Sequence, residues 1–153
     1  MEIWKDIPEY EGYYQVSNLG NVRSYDMVVN NCGSTKSIRK GRMLSKTKIK
    51  GYERVHLCKD GKTRQYYVHR LVLSTFLPNP DPERLTEVNH KNEDKSDNRL
   101  CNLEWCDRKY NNNYGTHTKR MIETKIKNGF WDPDLVGLDK KEYMKRYIKK
   151  VTK

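Results

Sequence analysis

The side chains best suited to chemistry lie between residues 88 and 111. His90 follows Asn89 and precedes a loop rich in Asn and Asp, and Asn102 and Asn111 come after that loop. A histidine can accept a proton near neutral pH, and amide oxygens are among the hard ligands that Mg²⁺ accepts. These residue types together suit general-base chemistry beside a divalent cation.

Two short strands and a helix are predicted to position these residues. One strand ends at His90 and a second runs from Leu103 to Cys106, with the polar loop between them. Asp107 is a candidate N-cap of the following helix, which places Asn111 about one turn into that helix. A β-loop-β-α unit brings the end of its first strand and the first turn of its helix to one side. His90, Asn89 and Asn111 are therefore expected to converge.

The same segment resembles the HNH, or ββα-metal, nuclease motif. The first His, the central Asn and the final Asn-or-His of that motif match His90, Asn102 and Asn111. An isolated pattern of one His and two Asn would be weak support for a nuclease. Its position within a predicted β-loop-β-α unit makes the match more specific.

Two further stretches resemble parts of the HNH homing endonucleases of phages and introns. Residues 4–7 and 12–24 are similar to the DNA-binding module that accompanies those nucleases, and residues 68–72 are similar to the segment before their nuclease hairpin. The resemblance covers roughly residues 1–115, and three motifs in the family's order are more specific than any one of them.

The resemblance implies a role for each residue of the motif. His90 would deprotonate the water that attacks phosphorus, and Asn102 would bond loop backbone and hold the histidine in place. Asn111 and Asn89 would ligate one Mg²⁺ or Mn²⁺ ion in each active site. Some relatives carry Asp where this chain has Asn89, and a carboxylate binds Mg²⁺ more tightly than an amide. This departure implies weaker metal affinity or a larger contribution from DNA phosphate.

The charge of the chain favours a polyanionic partner. Its 153 residues carry a formal net charge of +11, and nucleic acid is the commonest partner of such a protein. Residues 36–50 are basic without any acidic residue, which suits contact with DNA phosphate but also a solvated loop and a lysine-protected edge strand. The candidate contacts with double-stranded DNA are Arg23, Arg39, Lys40, Arg42, Arg54 and Arg64.

The remaining patterns predict an α+β fold with an antiparallel β N-terminal module, a ββα-metal hairpin and short C-terminal helices. Residues 13–24 and 54–68 each read as a hairpin, and Asp60-Gly61 is the turn of the second. A short helix follows from His69, with Leu73, Phe76 and Leu77 on one side. Trp4 and Trp105 are predicted to pack in the core, and two small sub-cores are expected rather than one thick core.

Three regions follow from these elements. Residues 1–50 would form the N-terminal β DNA-binding module, residues 51–115 the HNH nuclease domain, and residues 116–153 a basic helical tail. Within the tail, helices are predicted over 118–128, with Gly129 as C-cap, and over 139–150, with Asp139 as N-cap.

Several classes of protein are disfavoured by the sequence. The four cysteines form no Cys-x-x-Cys pair, so free thiols are expected rather than a zinc site. No apolar run approaches the length of a membrane span, and no signal-peptide stretch opens the chain. We therefore expect no membrane partner and no small-molecule cofactor, with the protein in the cytoplasm of the host cell of a phage or of a bacterium.

The sequence thus predicts a metal-dependent HNH endonuclease that hydrolyses phosphodiester bonds in DNA, of the phage homing kind. Two alternatives stay open at this point. One is a catalytically inactive DNA-binding regulator on the same fold, which would usually have lost His90 or Asn111. The other is an RNA-binding or zinc-stapled structural protein, which would copurify with thiol-bound zinc. The sequence leaves open the target site, the choice between a nick and a double-strand break, and the oligomeric state.

Overall fold

The structure is a computed structural model that describes residues 1–30, 36–128, 137–139, 142 and 146. The chain forms two compact units, Met1–Asn111 and Asn112–Lys153. Within the described ranges, no helix is both long enough and apolar enough to cross a membrane.

Small antiparallel sheets and short helices make up the described part of the chain, which confirms the predicted α+β class. The sheets have the strand orders β1-β2-β3, β4-β5, β6-β7-β8 and β9-β10. A 3-10 turn over Leu100–Asn102 leads into β10. In chain order the strands and helices are β1 (Trp4–Asp6), β2 (Tyr14–Ser17), β3 (Val22–Ser24), β4 (Met27–Asn30), β5 (Lys36–Arg39), β6 (Thr47–Ile49), β7 (Tyr52–Lys59), β8 (Lys62–Tyr67), α1 (Val68–Phe76), β9 (Glu87–His90), β10 (Leu103–Cys106), α2 (Arg108–Asn113) and α3 (His117–Lys127).

The first sheet confirms the hairpin predicted for residues 13–24. Tyr14 lies opposite Ser24 and Val16 lies opposite Val22 across β2 and β3. Tyr14 and Val16 are buried on the same face, because alternate residues of a strand point to the same side. Val22 is buried with them, so the hairpin presents an apolar face to the core.

The prediction that Trp4 packs in the core is wrong. Ile7 and Tyr10, in the segment between β1 and β2, are buried over the sheet and belong to the core. Trp4 is only half-buried in β1, and the guanidinium carbon of Arg23 lies 4.2 Å from the centre of its ring. The large ring therefore supports a surface arginine instead of filling the interior.

The second hairpin is also confirmed, with β7 paired to β8 across the Asp60-Gly61 turn. Both turn residues have positive φ, 51° for Asp60 and 72° for Gly61, as a two-residue turn between twisted strands requires. The strand β6 pairs with β7 on its other edge. This sheet carries Val55 and Leu57 into the core.

The helix α1 follows directly from β8 and packs its apolar side inward. Val68, Leu71, Val72 and Leu73 are buried. The expectation that Leu77 lies on the buried side is wrong, since Leu77 is 51% exposed. The helix ends at Phe76, so the helical spacing that would have turned Leu77 inward does not continue.

One connected core joins the elements of the first unit, so the expectation of two separate sub-cores is wrong. Buried residues of β2, β3, β7, α1, β9 and β10 form a single cluster. Trp105 is half-buried at its margin, where its Nε1 donates a hydrogen bond of 2.8 Å to the carbonyl oxygen of Leu77. The indole therefore joins β10 to the end of α1.

Both aspartates that are predicted to be N-caps accept a backbone hydrogen bond from the residue three positions later. Asp107 Oδ1 accepts a hydrogen bond of 2.7 Å from the Tyr110 backbone N–H, which caps α2. The helix α3 coincides closely with the one predicted over 118–128. Gly129 and most of the helix predicted over 139–150 lie outside the described residues. Asp139 Oδ1 accepts from the Glu142 N–H at 3.1 Å, the bond expected of an N-cap.

A close contact joins the first hairpin to the loop before β10. The Leu100 backbone N–H donates to the Asn18 carbonyl oxygen at 2.9 Å. Gly20 has a φ of 82°, and a Cβ placed on it would lie 2.7 Å from Asn98 Cβ. Glycine is required here both by the backbone conformation and by the space that Asn98 occupies.

We expect Gly20→Ala to destabilise the protein more than Gly61→Ala. Both glycines have positive φ, and nothing lies within 4 Å of a Cβ at Gly61, so that variant loses only about 1–2 kcal/mol of unfolding free energy for the left-handed backbone. The clash with Asn98 adds about 1–3 kcal/mol to the loss in Gly20→Ala. Urea unfolding measures both values, and equal losses would contradict the contact.

Candidate active site

The β9–β10 hairpin places the predicted site residues in fixed register. His90 at the end of β9 lies opposite Leu103, and Asn89 lies opposite Glu104. Asn89 and His90 are 4% and 5% exposed. The strands predicted to end at His90 and to run from Leu103 to Cys106 are both confirmed.

The side chain of Asn102 closes the loop between the two strands. Its Nδ2 donates to Asn92 Oδ1 at 2.9 Å and to the Asp97 carbonyl oxygen at 2.8 Å, and its Oδ1 accepts from the Asn92 N–H at 3.0 Å. The Lys91 N–H donates to the Asn102 carbonyl oxygen at 2.8 Å. These bonds hold the backbone that immediately follows His90.

The acidic residues of this loop serve its turns. Asp94 Oδ1 accepts from both the backbone N–H and the hydroxyl of Ser96, at 2.9 and 2.7 Å. Asp97 pairs with Arg99 at 2.7 Å, and this bond lowers the pKa of the Asp97 carboxyl to about 2. Both carboxylates therefore have partners within the loop.

His90 is held in a form suited to accepting a proton. Its pKa is lowered, chiefly because burial disfavours the charged imidazolium, although Asn98 and the carboxylates of Asp94 and Asp97 act in the opposite direction. His90 Nε2 is buried and has no hydrogen-bond partner among the described residues, and the same holds for Asn98 Oδ1. The imidazole is thus neutral at neutral pH.

Aromatic rings pack around His90 from the second hairpin and α1. The ring centres of His69 and His90 are 5.1 Å apart in an edge-to-face arrangement. The ring centre of Tyr52 lies 5.2 Å from that of His69 and 5.9 Å from that of His90. The Tyr67 ring stacks on the His69 ring with a centre-to-centre distance of 5.3 Å. The core of the fold therefore fixes the orientation of the His90 ring.

His69 is buried in α1 against the His90 ring, and its Nδ1 has no hydrogen-bond partner in the described part of the chain. Burial, aided by His90 and Arg70, lowers the pKa of His69 to about 3. The His69 imidazole is therefore neutral at neutral pH.

The two predicted metal ligands lie on elements joined by a residue that the sequence reasoning missed. Asn89 Nδ2 donates to Glu104 Oε1 at 2.7 Å, and the Tyr110 hydroxyl donates to the same oxygen at 3.2 Å. Asn111 follows Tyr110 in α2 and is half-buried, with its backbone N–H bonded to the Asp107 carbonyl oxygen at 3.0 Å. The signal for Glu104 was its position opposite Asn89 once the two strands are paired.

The donor set suits a hard cation. Among the described residues, no group of three or more His, Cys, Asp or Glu side chains is arranged to hold a metal ion. Cys58, Cys101 and Cys106 are free, and Cys32 lies outside the described residues. The candidate ligands are instead amide oxygens, and no hydrogen bond to Asn89 Oδ1 occurs in the described residues. An unshared amide oxygen of this kind fits Mg²⁺ or Mn²⁺ rather than a thiol-bound metal.

Two of the arginines predicted to contact DNA are supported by aromatic rings. The exposed Arg23 donates from Nε and a terminal nitrogen to Gln15 Oε1, at 2.9 and 2.7 Å, in addition to its contact with Trp4. The half-buried Arg54 lies 4.3 Å from the centre of the Tyr67 ring and donates to the Tyr67 hydroxyl. Both guanidinium groups are held in place before any partner arrives.

The other four predicted contacts are exposed but differ in charge balance. Lys40 pairs with Asp26 at 2.8 Å, and this bond raises the pKa of the lysine. Arg39, Arg42 and Arg64 are exposed, and their guanidinium groups have no ion pair within the described ranges. These three arginines therefore present uncompensated positive charge.

Family comparisons agree with this arrangement. Residues 66–113, which include β9, β10 and most of the residues around His90, match the HNH endonuclease family, and residues 2–58 match the NUMOD4 motif. Two segments of the chain therefore match known family models, a NUMOD4 motif followed by an HNH endonuclease segment.

Individual relatives point to the homing endonucleases within that family, which confirms the resemblance. The chain is 43% identical over 138 residues to an uncharacterised HNH endonuclease of Acanthamoeba polyphaga mimivirus, covering 84% of this chain and 31% of that protein. It is 40% identical over 109 residues to the DNA endonuclease I-HmuI of Bacillus phage SP01, covering 71% of this chain and 54% of the phage enzyme.

A solved structure shows the same similarity in three dimensions. The structure, titled "DNA binding and cleavage by the HNH homing endonuclease I-HmuI", matches with a TM-score of 0.54 and 32% identity, over 86% of this chain and 62% of that one. The chain spans only part of its curated relatives: 31% of the length of the mimivirus protein and 54% of the length of the phage SP01 enzyme.

We expect His69→Phe to reduce the acid sensitivity of the fold. The ordinary pKa is 6.5 and the folded value is about 3, so below pH 6.5 the unfolded chain binds a proton at His69 that the folded chain does not. The free energy of unfolding therefore decreases by up to about 1.4 kcal/mol for each unit by which the pH is lowered. Phenylalanine removes this loss while keeping a ring.

The measurement is urea unfolding of both proteins between about pH 7 and pH 5, above the range where most carboxylates titrate. His56→Phe is the matched control, because His56 is exposed. Equal pH dependence of the wild type and His69→Phe would show that His69 is not buried in its neutral form.

Proposed function

We propose that this protein is a divalent-metal-dependent endonuclease that hydrolyses phosphodiester bonds in double-stranded DNA. The observation that supports this most directly is His90, a buried and neutral imidazole at the end of β9. It lies beside Asn89 in a hairpin whose loop is closed by Asn102. The similarity to HNH homing endonucleases supports the same class of reaction.

In this proposal the protein's own residues handle the proton and the geometry. The neutral His90 imidazole accepts a proton from a water molecule as the water oxygen bonds to phosphorus. The bond from phosphorus to the 3′ oxygen breaks, and that oxygen takes a proton from solvent. Asn102 keeps the loop, and with it His90, in one arrangement while the reaction proceeds.

Asn89 and Asn111 would hold one Mg²⁺ or Mn²⁺ ion per site through their amide oxygens. When bound, the cation would reduce the negative charge of the phosphate and stabilise the leaving 3′ oxygen. The two amide ligands carry no negative charge of their own, so the DNA phosphate becomes a more important part of metal binding.

DNA contact is assigned to the basic surface of the first unit. Arg39, Arg42 and Arg64 suit phosphate, because their charge is uncompensated and exposed. Arg23 and Arg54 are pre-positioned on aromatic rings, which reduces the ordering cost of a specific contact. Lys40 is the weakest of the predicted contacts, since Asp26 already neutralises it. The proposed role is that of a phage-type homing endonuclease acting in the cytoplasm of the cell that holds its target.

Arg42→Ala should weaken DNA binding more than Lys40→Ala. Loss of one phosphate contact reduces the slope of log affinity against log salt concentration by about 0.9, and this change is expected for Arg42→Ala only. Fluorescence anisotropy with a labelled duplex, at several salt concentrations and in EDTA, measures both slopes. Identical slopes for the two variants would assign no phosphate contact to Arg42.

We expect the wild type to cleave plasmid DNA in Mg²⁺ or Mn²⁺ and His90→Ala to be slower by at least about 100-fold. The measurement is the conversion of supercoiled plasmid to relaxed or linear forms, with EDTA in a parallel reaction. His56→Ala is the matched histidine control and should cleave normally. The ratio of relaxed to linear product separates nicking from double-strand cutting.

The same assay tests the regulator alternative. Substrates should include DNA from candidate host and phage loci, because homing enzymes cut few sites. Tight DNA binding with no cleavage in either metal on any of these DNAs would replace the nuclease proposal with a DNA-binding regulator. Cleavage that survives both EDTA and His90→Ala would point to a contaminating enzyme or a different site.

A further inference from the structure

Glu104 connects the two elements that carry the candidate metal ligands. It lies directly opposite Asn89 across the β9–β10 pair. Glu104 Oε1 accepts a hydrogen bond of 2.7 Å from Asn89 Nδ2 and one of 3.2 Å from the Tyr110 hydroxyl. Tyr110 precedes Asn111 in α2, so a single carboxylate oxygen contacts both the strand and the helix.

The chemistry of this contact determines which way the Asn89 amide faces. An ionised carboxylate can only accept hydrogen bonds, whereas a primary amide has an NH₂ donor on one side and an oxygen acceptor on the other. The NH₂ group must therefore face Glu104, and Oδ1 must point away from it. Asn89 is 4% exposed, and a buried amide that donates to a charged acceptor does not rotate freely.

We propose that Glu104 is a positioning residue that fixes the Asn89 amide with its oxygen directed to the cation, and that restrains α2 through Tyr110. This inference rests on the proposed function, because it takes Asn89 as a metal ligand. Without Glu104, the amide can turn its NH₂ group toward the cation, and an amide nitrogen that carries two hydrogens offers no lone pair for metal binding.

The pairing also accounts for an amide at position 89 in this chain. A carboxylate there would place a second negative charge at hydrogen-bond distance from Glu104, and directly opposed like charges destabilise a strand pair. An aspartate would need no orientation, because both of its oxygens can ligate. Orientation by Glu104 therefore matters for Asn89 and not for an aspartate at the same position.

The test compares Glu104→Leu with Glu104→Gln, alone and combined with Asn89→Asp. Both changes at position 104 remove the charge, but glutamine keeps an acceptor oxygen of similar reach. The readout is the dissociation constant for Mn²⁺, measured by calorimetry on protein bound to a duplex that carries non-hydrolysable methylenephosphonate linkages, so turnover is not required. The half-saturating Mg²⁺ concentration for plasmid cleavage is measured alongside.

With asparagine at position 89, we expect Glu104→Leu to bind Mn²⁺ about tenfold more weakly than Glu104→Gln. In the Asn89→Asp background the two variants should have the same affinity. Equal affinities in the asparagine background would overturn the inference, and so would a tenfold difference that persists in the Asn89→Asp background, which would indicate general support of the hairpin.

Failure of this inference and failure of the proposed function give different results. A wild-type protein that binds Mn²⁺ and cleaves DNA, with equal affinities for the two variants at position 104, refutes only the role of Glu104. A wild-type protein that neither binds Mn²⁺ nor cleaves DNA refutes both. Urea unfolding and DNA binding in EDTA show whether each variant is folded; a variant that fails to fold is replaced by Glu104→Met in the comparison with Glu104→Gln.

Discussion

The geometry of the candidate site depends on the amide of Asn102. The amide bonds Asn92 and Asp97 across the loop between β9 and β10. These bonds support the register in which His90 lies opposite Leu103. A slip of one residue would turn every side chain of β9 to the opposite face, and His90 and Asn89 would exchange environments.

The second constraint is that the site is built on the core and not beside it. Val88 and Leu103 belong to the same buried cluster as Val55 and Leu57 of β7 and the apolar side of α1. His90 continues that packing as a ring against His69 and Tyr52. The same burial that fills the interior also keeps the imidazole neutral, so a single physical cause serves both stability and the proposed chemistry.

Local signals in the sequence were sufficient for the elements, but not for their contacts. The Asp60-Gly61 turn and the Asp107 cap were predictable because each depends on residues adjacent in the chain. The half-buried position of Trp4 and the connection between Glu104 and Asn89 depend on pairing between strands. Periodicity predicts which residues face the same side of one strand, and it does not predict which residue of another strand lies opposite.

The contact of Gly20 with Asn98 has a consequence for how such proteins are engineered. The NUMOD4 and HNH segments are separate matches in the sequence. In the structure, however, the turn at Gly20 in the NUMOD4 segment packs directly against Asn98 in the loop before β10 of the HNH segment. The Asn18–Leu100 backbone bond repeats the connection. A chimera that exchanges either segment must therefore carry the matching turn or loop with it, so that Gly20 again lies against Asn98.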